Sequence, residues 1–200
     1  YAGTYDTFFN WIFHHGRKVV ADKLNLHPGD TMLEVGVGTG LSLPLYPREV
    51  TIDGIDISDP MLEKAREKRD EQGLDNVRTL EVMDAESMSF PDDTYDVVVA
   101  EYVVTVSPNP VALVDEMRRV CKPDGEIVIV NPFHKDNPVI AAFEKALSPL
   151  SALVGFRPHM KKGDLIQQAQ LEVIDDQNVN LFGYWSMLRC RNNKRDLAQG

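Results

Sequence analysis

Two rhythms of apolar and polar residues alternate along this chain. Short apolar runs end in Gly, Asp or Glu, and between them lie stretches with apolar residues three and four apart. The first rhythm marks buried strands and the second amphipathic helices. Residues 31–35, 52–57, 77–82, 96–100 and 126–130 read as strands, the fourth apolar enough to be buried on both faces. Residues 61–72 and 111–121 read as helices, the second with Leu113, Val114, Met117 and Val120 on one side. Strand and helix in alternation predict an α/β layer around a mostly parallel sheet. Residues 171–175 and 177–191 look like strands six and seven, an antiparallel hairpin that completes a seven-stranded sheet with helices on both faces.

The connections carry ordinary punctuation. Pro28-Gly29-Asp30 and Lys122-Pro123-Asp124-Gly125 read as turns, and Ser58-Asp59-Pro60 as an N-cap and first helical turn. Glu63, Lys64, Arg66, Glu67 and Lys68 suggest a solvated, mutually paired charged side on the helix that follows. Ahead of the first strand, Phe8, Phe9, Ile12 and Phe13 fall at helical spacing; Gly16 breaks the pattern, and 17–26 resumes it with Val19, Val20, Leu24 and Leu26. The segment 1–27 has two compatible readings: a helix that caps the sheet, or an amphipathic lid whose Trp and Phe residues, set beside Lys and Arg, touch a membrane. The apolar stretch 139–156 is interrupted by Glu144-Lys145 and Pro149, so it is too broken to span a bilayer.

Composition bounds the class. With 200 residues and 43% hydrophobic content, the chain suits one domain over 1–200. A net charge of −10 disfavours nucleic acid as partner, although basic residues bunch at Arg17–Lys23, Arg157–Lys162 and Arg189–Arg195. Cys121 and Cys190 have no metal-ligand spacing and no disulfide pattern, which fits a reducing, cytoplasmic setting. No stretch reads as a signal peptide, and the chain opens on Tyr1 rather than Met, so a preceding piece is expected to be missing.

The candidate chemistry lies after the first strand, in Leu33-Glu34-Val35-Gly36-Val37-Gly38-Thr39-Gly40. A glycine loop at the C-terminal end of a strand is where open α/β sheets bind ligands. A dinucleotide fingerprint would need Gly or Ala at position 41, and Leu41 stands there. The second strand ends in Asp56, twenty residues past the first glycine (56 against 36), the place of an acid that accepts ribose hydroxyls. The loop E-x-G-x-G-x-G with Asp56 resembles the cofactor site of the class I S-adenosylmethionine (SAM)-dependent methyltransferases. That resemblance implies a Rossmann-like fold with an N-terminal helical lid, SAM as cofactor, S-adenosylhomocysteine as product and no metal. It implies Glu34, Gly36, Gly38 and Gly40 at the methionine part, Asp56 and Ile57 at the ribose, Asp84 and the backbone of Ala85 at the adenine, and Arg17 at the SAM carboxylate. Met61 reads as an adenosine contact or as a core methionine. Glu101 and Tyr102, at the end of strand four, sit where substrate-facing groups are placed, Glu101 near the SAM amine.

Over most of its length the chain also resembles the bacterial phospholipid N-methyltransferases of the Rhodobacter type, which convert phosphatidylethanolamine stepwise to phosphatidylcholine. The resemblance is carried by residues 33–44, Asp56-Ile57-Ser58 with Met61-Leu62, residues 101–110, Asn131-Pro132-Phe133 and Gly183-Tyr184-Trp185. It implies a phospholipid substrate met at the inner face of the membrane, with Tyr5, Tyr102, Asn131 and Tyr184 at the head group. Arg157 and Arg189 are candidate phosphodiester donors, and the tyrosine faces suit a cation that gains methyl groups. An ammonium of pKa about 10.4 must lose its proton before it can attack; His134, Glu101 or water can take it. Tyr5, Tyr102 and His134 are therefore the catalytic candidates. Ubiquinone and menaquinone C-methyltransferases share the cofactor motifs and remain the alternative.

Overall fold

The computed structural model describes residues 16–131, 161–179 and 185–194. Seven strands form one sheet in the order β3-β2-β1-β4-β5-β7-β6. β1 (Thr31–Val35), β2 (Thr51–Asp56), β3 (Val77–Val82), β4 (Tyr95–Glu101) and β5 (Cys121–Asn131) run parallel. β7 (Ser186–Arg191) is antiparallel to both β5 and β6 (Glu172–Asn178). The closing antiparallel pair is therefore present, with β6 longer and β7 shorter than the pattern suggested. The turn at Lys122–Gly125 is also real: Tyr95 pairs with Cys121 and Val97 with Glu126, so the four residues 122–125 loop out between two ladder positions.

Two apolar layers enclose the sheet. On one face Met32, Ile52, Val97 and Val99 pack under residues 16–23, a helix we call α1, and under α2 (Asp59–Glu71), through Val20, Ala21, Leu24, Leu62 and Ala65. On the other, Leu33, Val35, Val98 and Ala100 meet α3 (Pro110–Val120) and α4 (Lys162–Gln168) through Leu113, Val114, Met117 and Leu165. Helices lie on both faces, as the sequence implied. The period of two along β1 and β4 decides which side chains can share a face, and it puts Glu34 and Glu101 on the α1–α2 side.

Helix ends follow local chemistry. The Asn109 side chain accepts from the Ala112 N–H at 3.2 Å, Pro110 opens α3, and Arg118 and Arg119 close it. Ser58 is the N-cap residue of α2 but makes no side-chain cap bond. The charged side of α2 is partly self-paired, Arg66 with Asp59 at 3.1 Å and Arg69 with Asp70 at 2.8 Å, and partly turned outward from the helix: Arg66 also donates to the Leu80 carbonyl at 2.8 Å and Lys68 to the Thr39 carbonyl at 3.0 Å. Gly16 is the first described residue; it is helical and buried, against Tyr102 and Trp185. No helix among the described residues is long and apolar enough to cross a membrane.

A polar clamp crosses the sheet below the strands' C-terminal ends. Asp53 on β2 is 2% exposed and accepts from Arg78, from Thr79 at 2.8 Å and from the Tyr95 hydroxyl at 2.8 Å. Tyr95 reaches it from β4, across β1. Although burial opposes ionisation, the bonds from Arg78, Thr79 and Tyr95 outweigh it and hold the Asp53 carboxyl below its usual range. A depressed folded pKa stabilises above the unfolded value and loses that contribution as pH falls through the folded one. Asp53→Asn should lower stability by about 2 kcal/mol at neutral pH, and the gap to the native chain should close in acid. Urea unfolding at several pH values measures both; a gap that does not narrow in acid contradicts this assignment.

Candidate active site

β1, β2 and β4 all end at one edge, and a cleft of about 700 Å³ opens above them. The glycine loop forms its floor. Gly36 has a φ of +74°, and a Cβ there would lie 2.0 Å from Val103 Cγ2, so only glycine lets the loop pass the end of β4. Its N–H and that of Val37 both donate to the Ile55 carbonyl, at 2.8 and 3.0 Å. Gly38 has a φ of +54° and nothing within 4 Å of the position of a Cβ, so its backbone faces open cleft.

Asp56 fixes the loop from the neighbouring strand. One carboxylate oxygen accepts from the Gly38 N–H at 2.9 Å and the other from the Ser58 N–H at 2.9 Å. Both bonds hold the carboxylate at the cleft wall. Around it stand Ile57, 73% exposed, and Met61, 47% exposed. Met61 is thus a cleft residue and not a core methionine. Across from them Asp84 accepts from the Glu86 N–H at 2.9 Å and sits beside Ala85 in the lining.

The other end of the cleft is acidic and buried. Glu34 is 2% exposed and accepts from the Ser42 hydroxyl; its second oxygen is buried with no hydrogen-bond partner in good geometry among the described residues. Glu101 is 6% exposed, and neither carboxylate oxygen has a partner among the described residues. Burial pushes both carboxyls up toward neutrality, more than the Ser42 and Tyr46 hydroxyls and the Arg17 charge pull Glu34 down. For Glu101 the negative charge of Glu34 adds to burial, and Arg17 opposes both. Arg17 stands 5.8 Å from the centre of the Tyr102 ring. Tyr102 has a φ of +64°, costly for a bulky residue. Its N–H donates to the Val130 carbonyl at 2.7 Å, and its ring meets Trp185 edge-on at 5.7 Å.

Of the cofactor residues named from the sequence, Arg17, Glu34, Gly36, Gly38, Asp56, Ile57, Met61, Asp84, Ala85 and Glu101 line this one cleft. Gly40 does not; it packs on Leu43 and Ala65, where the loop meets α2. Tyr102 lines the cleft, whereas Asn131 is wholly buried beside it, donating to Thr105 at 2.7 Å. Arg189 is not brought to the cleft. Its guanidinium makes two bonds to Glu126, at 2.8 and 2.7 Å, midway along β5. There it is held in an ion pair. Tyr5, His134, Arg157 and Tyr184 lie outside the described residues. Sequence reasoning missed Ser42 and the wall made by Val103, Val106 and Pro108. Residues 103–110 entered only as part of the stretch that carries the family resemblance, and nothing in their pattern said that they line the cleft.

The residues present suit an adenosyl amino acid: open glycine backbone, a positioned carboxylate, an exposed apolar wall, and an unpartnered buried acid. The sheet order and this cleft define a Rossmann-like methyltransferase fold. Comparison with known proteins agrees. Residues 33–129 match a methyltransferase domain family. The chain is 43% identical over 185 residues to the phosphatidylethanolamine N-methyltransferase of Cereibacter sphaeroides, covering 92% of this chain and 91% of that one. The nocamycin O-methyltransferase of Saccharothrix syringae is 31% identical over 74% of this chain and 53% of its own length. Among solved structures, a SAM-dependent methyltransferase from Aquifex aeolicus superposes with a TM-score of 0.68 at 21% identity, over 91% of this chain and 92% of that one. A geranyl diphosphate methyltransferase in complex with SAM superposes with a TM-score of 0.74 at 16% identity, over 90% and 85%. The chain belongs to the SAM-dependent methyltransferases and, within them, to the family of the Cereibacter sphaeroides protein.

The raised carboxyls make stability depend on pH. An unfolded Glu releases its proton near pH 4.3, while the buried one keeps it until nearer neutrality, so stability is greatest in mild acid and falls as pH rises toward the folded pKa. Glu101→Gln should flatten that fall. Thermal unfolding of both proteins from mild acid to mild alkali measures it; parallel curves contradict the assignment of a shifted Glu101.

Proposed function

We propose that this enzyme transfers the SAM methyl group to the amine of phosphatidylethanolamine, and then to its mono- and dimethyl derivatives, toward phosphatidylcholine. The observation that carries this reading is the identity to the Cereibacter sphaeroides enzyme across nearly the whole of both chains. Asp56 is assigned to the ribose hydroxyls, the glycine backbone to the amino-acid part, Ile57 and Met61 to the adenosine, Asp84 and Ala85 to the adenine, and Arg17 to the SAM carboxylate. Tyr102 is assigned to the acceptor side, beside Trp185. The roles of Tyr5, His134, Arg157 and Tyr184 are part of the same proposal.

When bound, SAM supplies a sulfonium methyl group. What the chain contributes is geometry and polarity. The cleft fixes the adenosyl part on one wall and leaves the Tyr102 wall for the acceptor, whose nitrogen must approach to ~3–3.5 Å in line with the breaking bond. Aromatic faces there attract an ammonium without hydrogen bonds, so they remain suited as methyl groups replace N–H. The 1–27 segment is assigned to a membrane surface, where a two-chain lipid is met. Of that segment, Val20, Ala21 and Leu24 pack into the core, so any lipid contact falls to other residues.

A second reading, transfer to a soluble small molecule, is favoured by the similarity to the nocamycin O-methyltransferase. Incubation with methyl-labelled SAM and mixed-lipid vesicles, followed by lipid chromatography, separates the two. Label in methylated phosphatidylethanolamines is expected; SAM binding without lipid label contradicts the lipid reading. For the cofactor map, Asp56→Ala should weaken SAM binding about tenfold to a hundredfold by loss of charge-assisted hydrogen bonds. Calorimetric titration measures this, and unchanged affinity contradicts it.

A further inference from the structure

The adenine wall of the cleft comes from a stretch with no regular structure of its own. Residues 83–94 follow β3, which stands at the edge of the sheet and pairs with β2. Support comes from α3 instead. Glu116 on that helix accepts from the Met88 N–H at 2.7 Å, and Arg119 donates to the Met88 and Phe90 carbonyls, both at 2.8 Å. Neither Met88 nor Phe90 lines the cleft, so these bonds fix the far part of the stretch. At the cleft itself the link is Glu86. One oxygen of its carboxylate accepts both from the Ser107 hydroxyl, at 2.5 Å, and from the Asn109 N–H, at 2.7 Å. Ser107 is 6% exposed, and Asn109 is the N-cap residue of α3. The carboxylate thus sits at the N-terminus of a helix that is anchored in the core by Leu113, Val114 and Met117.

Glu86 also turns back on its own loop. Its N–H donates to a carboxylate oxygen of Asp84 at 2.9 Å, and the Ser87 N–H donates to the Asp84 carbonyl at 3.1 Å. Asp84, Glu86 and Ser107 all line the cleft. A chain of bonds therefore runs from the start of α3 through Glu86 to the Asp84 carboxylate. We propose that Glu86 is a positioning residue for the cofactor's base: by tying Asp84 to α3, it sets the preference for a 6-amino over a 6-oxo purine. The inference rests on the assignment of Asp84 and Ala85 to the adenine made above, and not on the lipid acceptor. A carboxylate accepts from an exocyclic amine but meets the oxygen of a 6-oxo base acceptor to acceptor. That rejection works only while the carboxylate is held against the base; a loose Asp84 turns away from the oxygen and discriminates less. Glu86 needs no charge for this role. Both donors converge on a single oxygen, and a glutamine carbonyl offers the same acceptor.

Calorimetric titration of S-adenosylhomocysteine and of S-inosylhomocysteine, its 6-oxo counterpart, tests the proposal. The native chain should prefer the adenine compound by about tenfold to a hundredfold, the worth of one hydrogen bond to a charged group. Asp84→Ala should remove that preference. Glu86→Ala should cut it about fivefold, whereas Glu86→Gln should keep most of it. On the Asp84→Ala background, Glu86→Ala should change the preference no further, as holds for two residues that act in one chain. Ser107→Ala removes one of the two donors and should give a partial loss, which is readable even where Glu86→Ala does not fold. Equal weakening of both compounds by Glu86→Ala and Ser107→Ala, with the native preference kept, leaves Glu86 a structural contact alone and overturns the proposal. A glutamine variant that behaves like the alanine one overturns it too. A native chain that binds the two compounds equally, or a preference that survives Asp84→Ala, overturns the adenine assignment and the proposal with it.

Discussion

The cleft depends on how closely the chain leaving β1 can pass the end of β4. At Gly36 the two approach so nearly that a methyl group would fall inside the van der Waals shell of Val103. That approach lets the loop turn flat over the sheet edge, presents the Gly38 backbone to open space, and brings its N–H within reach of Asp56. A bulkier residue at Gly36 would push the loop outward and separate the ribose-side carboxylate from the amino-acid-side backbone. Val103 is part of the same constraint, because it follows Tyr102, whose left-handed backbone redirects the chain at the end of β4.

The sheet supplies the second constraint. Parallel strands bring all their C-terminal residues to one edge, and the two-residue period puts Glu34 and Glu101 on the same side of it. Polar anchoring occurs lower down, where Asp53, Arg78, Thr79 and Tyr95 bind β2, β3 and β4 together across β1. The division is physical. The Asp53 clamp lies below the edge and fixes the strands, whereas Glu34 and Glu101, with oxygens that have no partner among the described residues, lie at the edge. In a family of SAM-dependent methyltransferases that contrast suits a cationic cofactor.

Much of this was legible in the residues. The strands announced themselves because each is an apolar run ended by a glycine, an acid or a turn, and Asp56 because its distance from Gly36 spans one loop, the short 3-10 turn at Leu43–Leu45 and β2. Arg189 could not be set relative to the cleft because alternation along an isolated strand gives a side, not a height. Its position on the sheet depends on the antiparallel register with β5, and that register delivers it to Glu126. The charged residues of α2 looked like a self-paired surface, yet Lys68 and Arg66 reach the glycine loop and β3, contacts that no spacing rule within one helix contains. Glu101 was placed correctly at the functional edge, but its lack of partners is a three-dimensional fact.

The central claim is that the glycine loop, Asp56 and the Glu34–Glu101 corner form one cofactor cleft. A crystal structure of the protein with S-adenosylhomocysteine tests it most directly. The account places both ribose hydroxyls on the Asp56 carboxylate, the adenine between Met61 and Ala85, and the amino-acid end over Gly36 and Gly38 beside Glu101. A nucleoside bound elsewhere on the sheet edge, or bound here with its ribose away from Asp56, would contradict it.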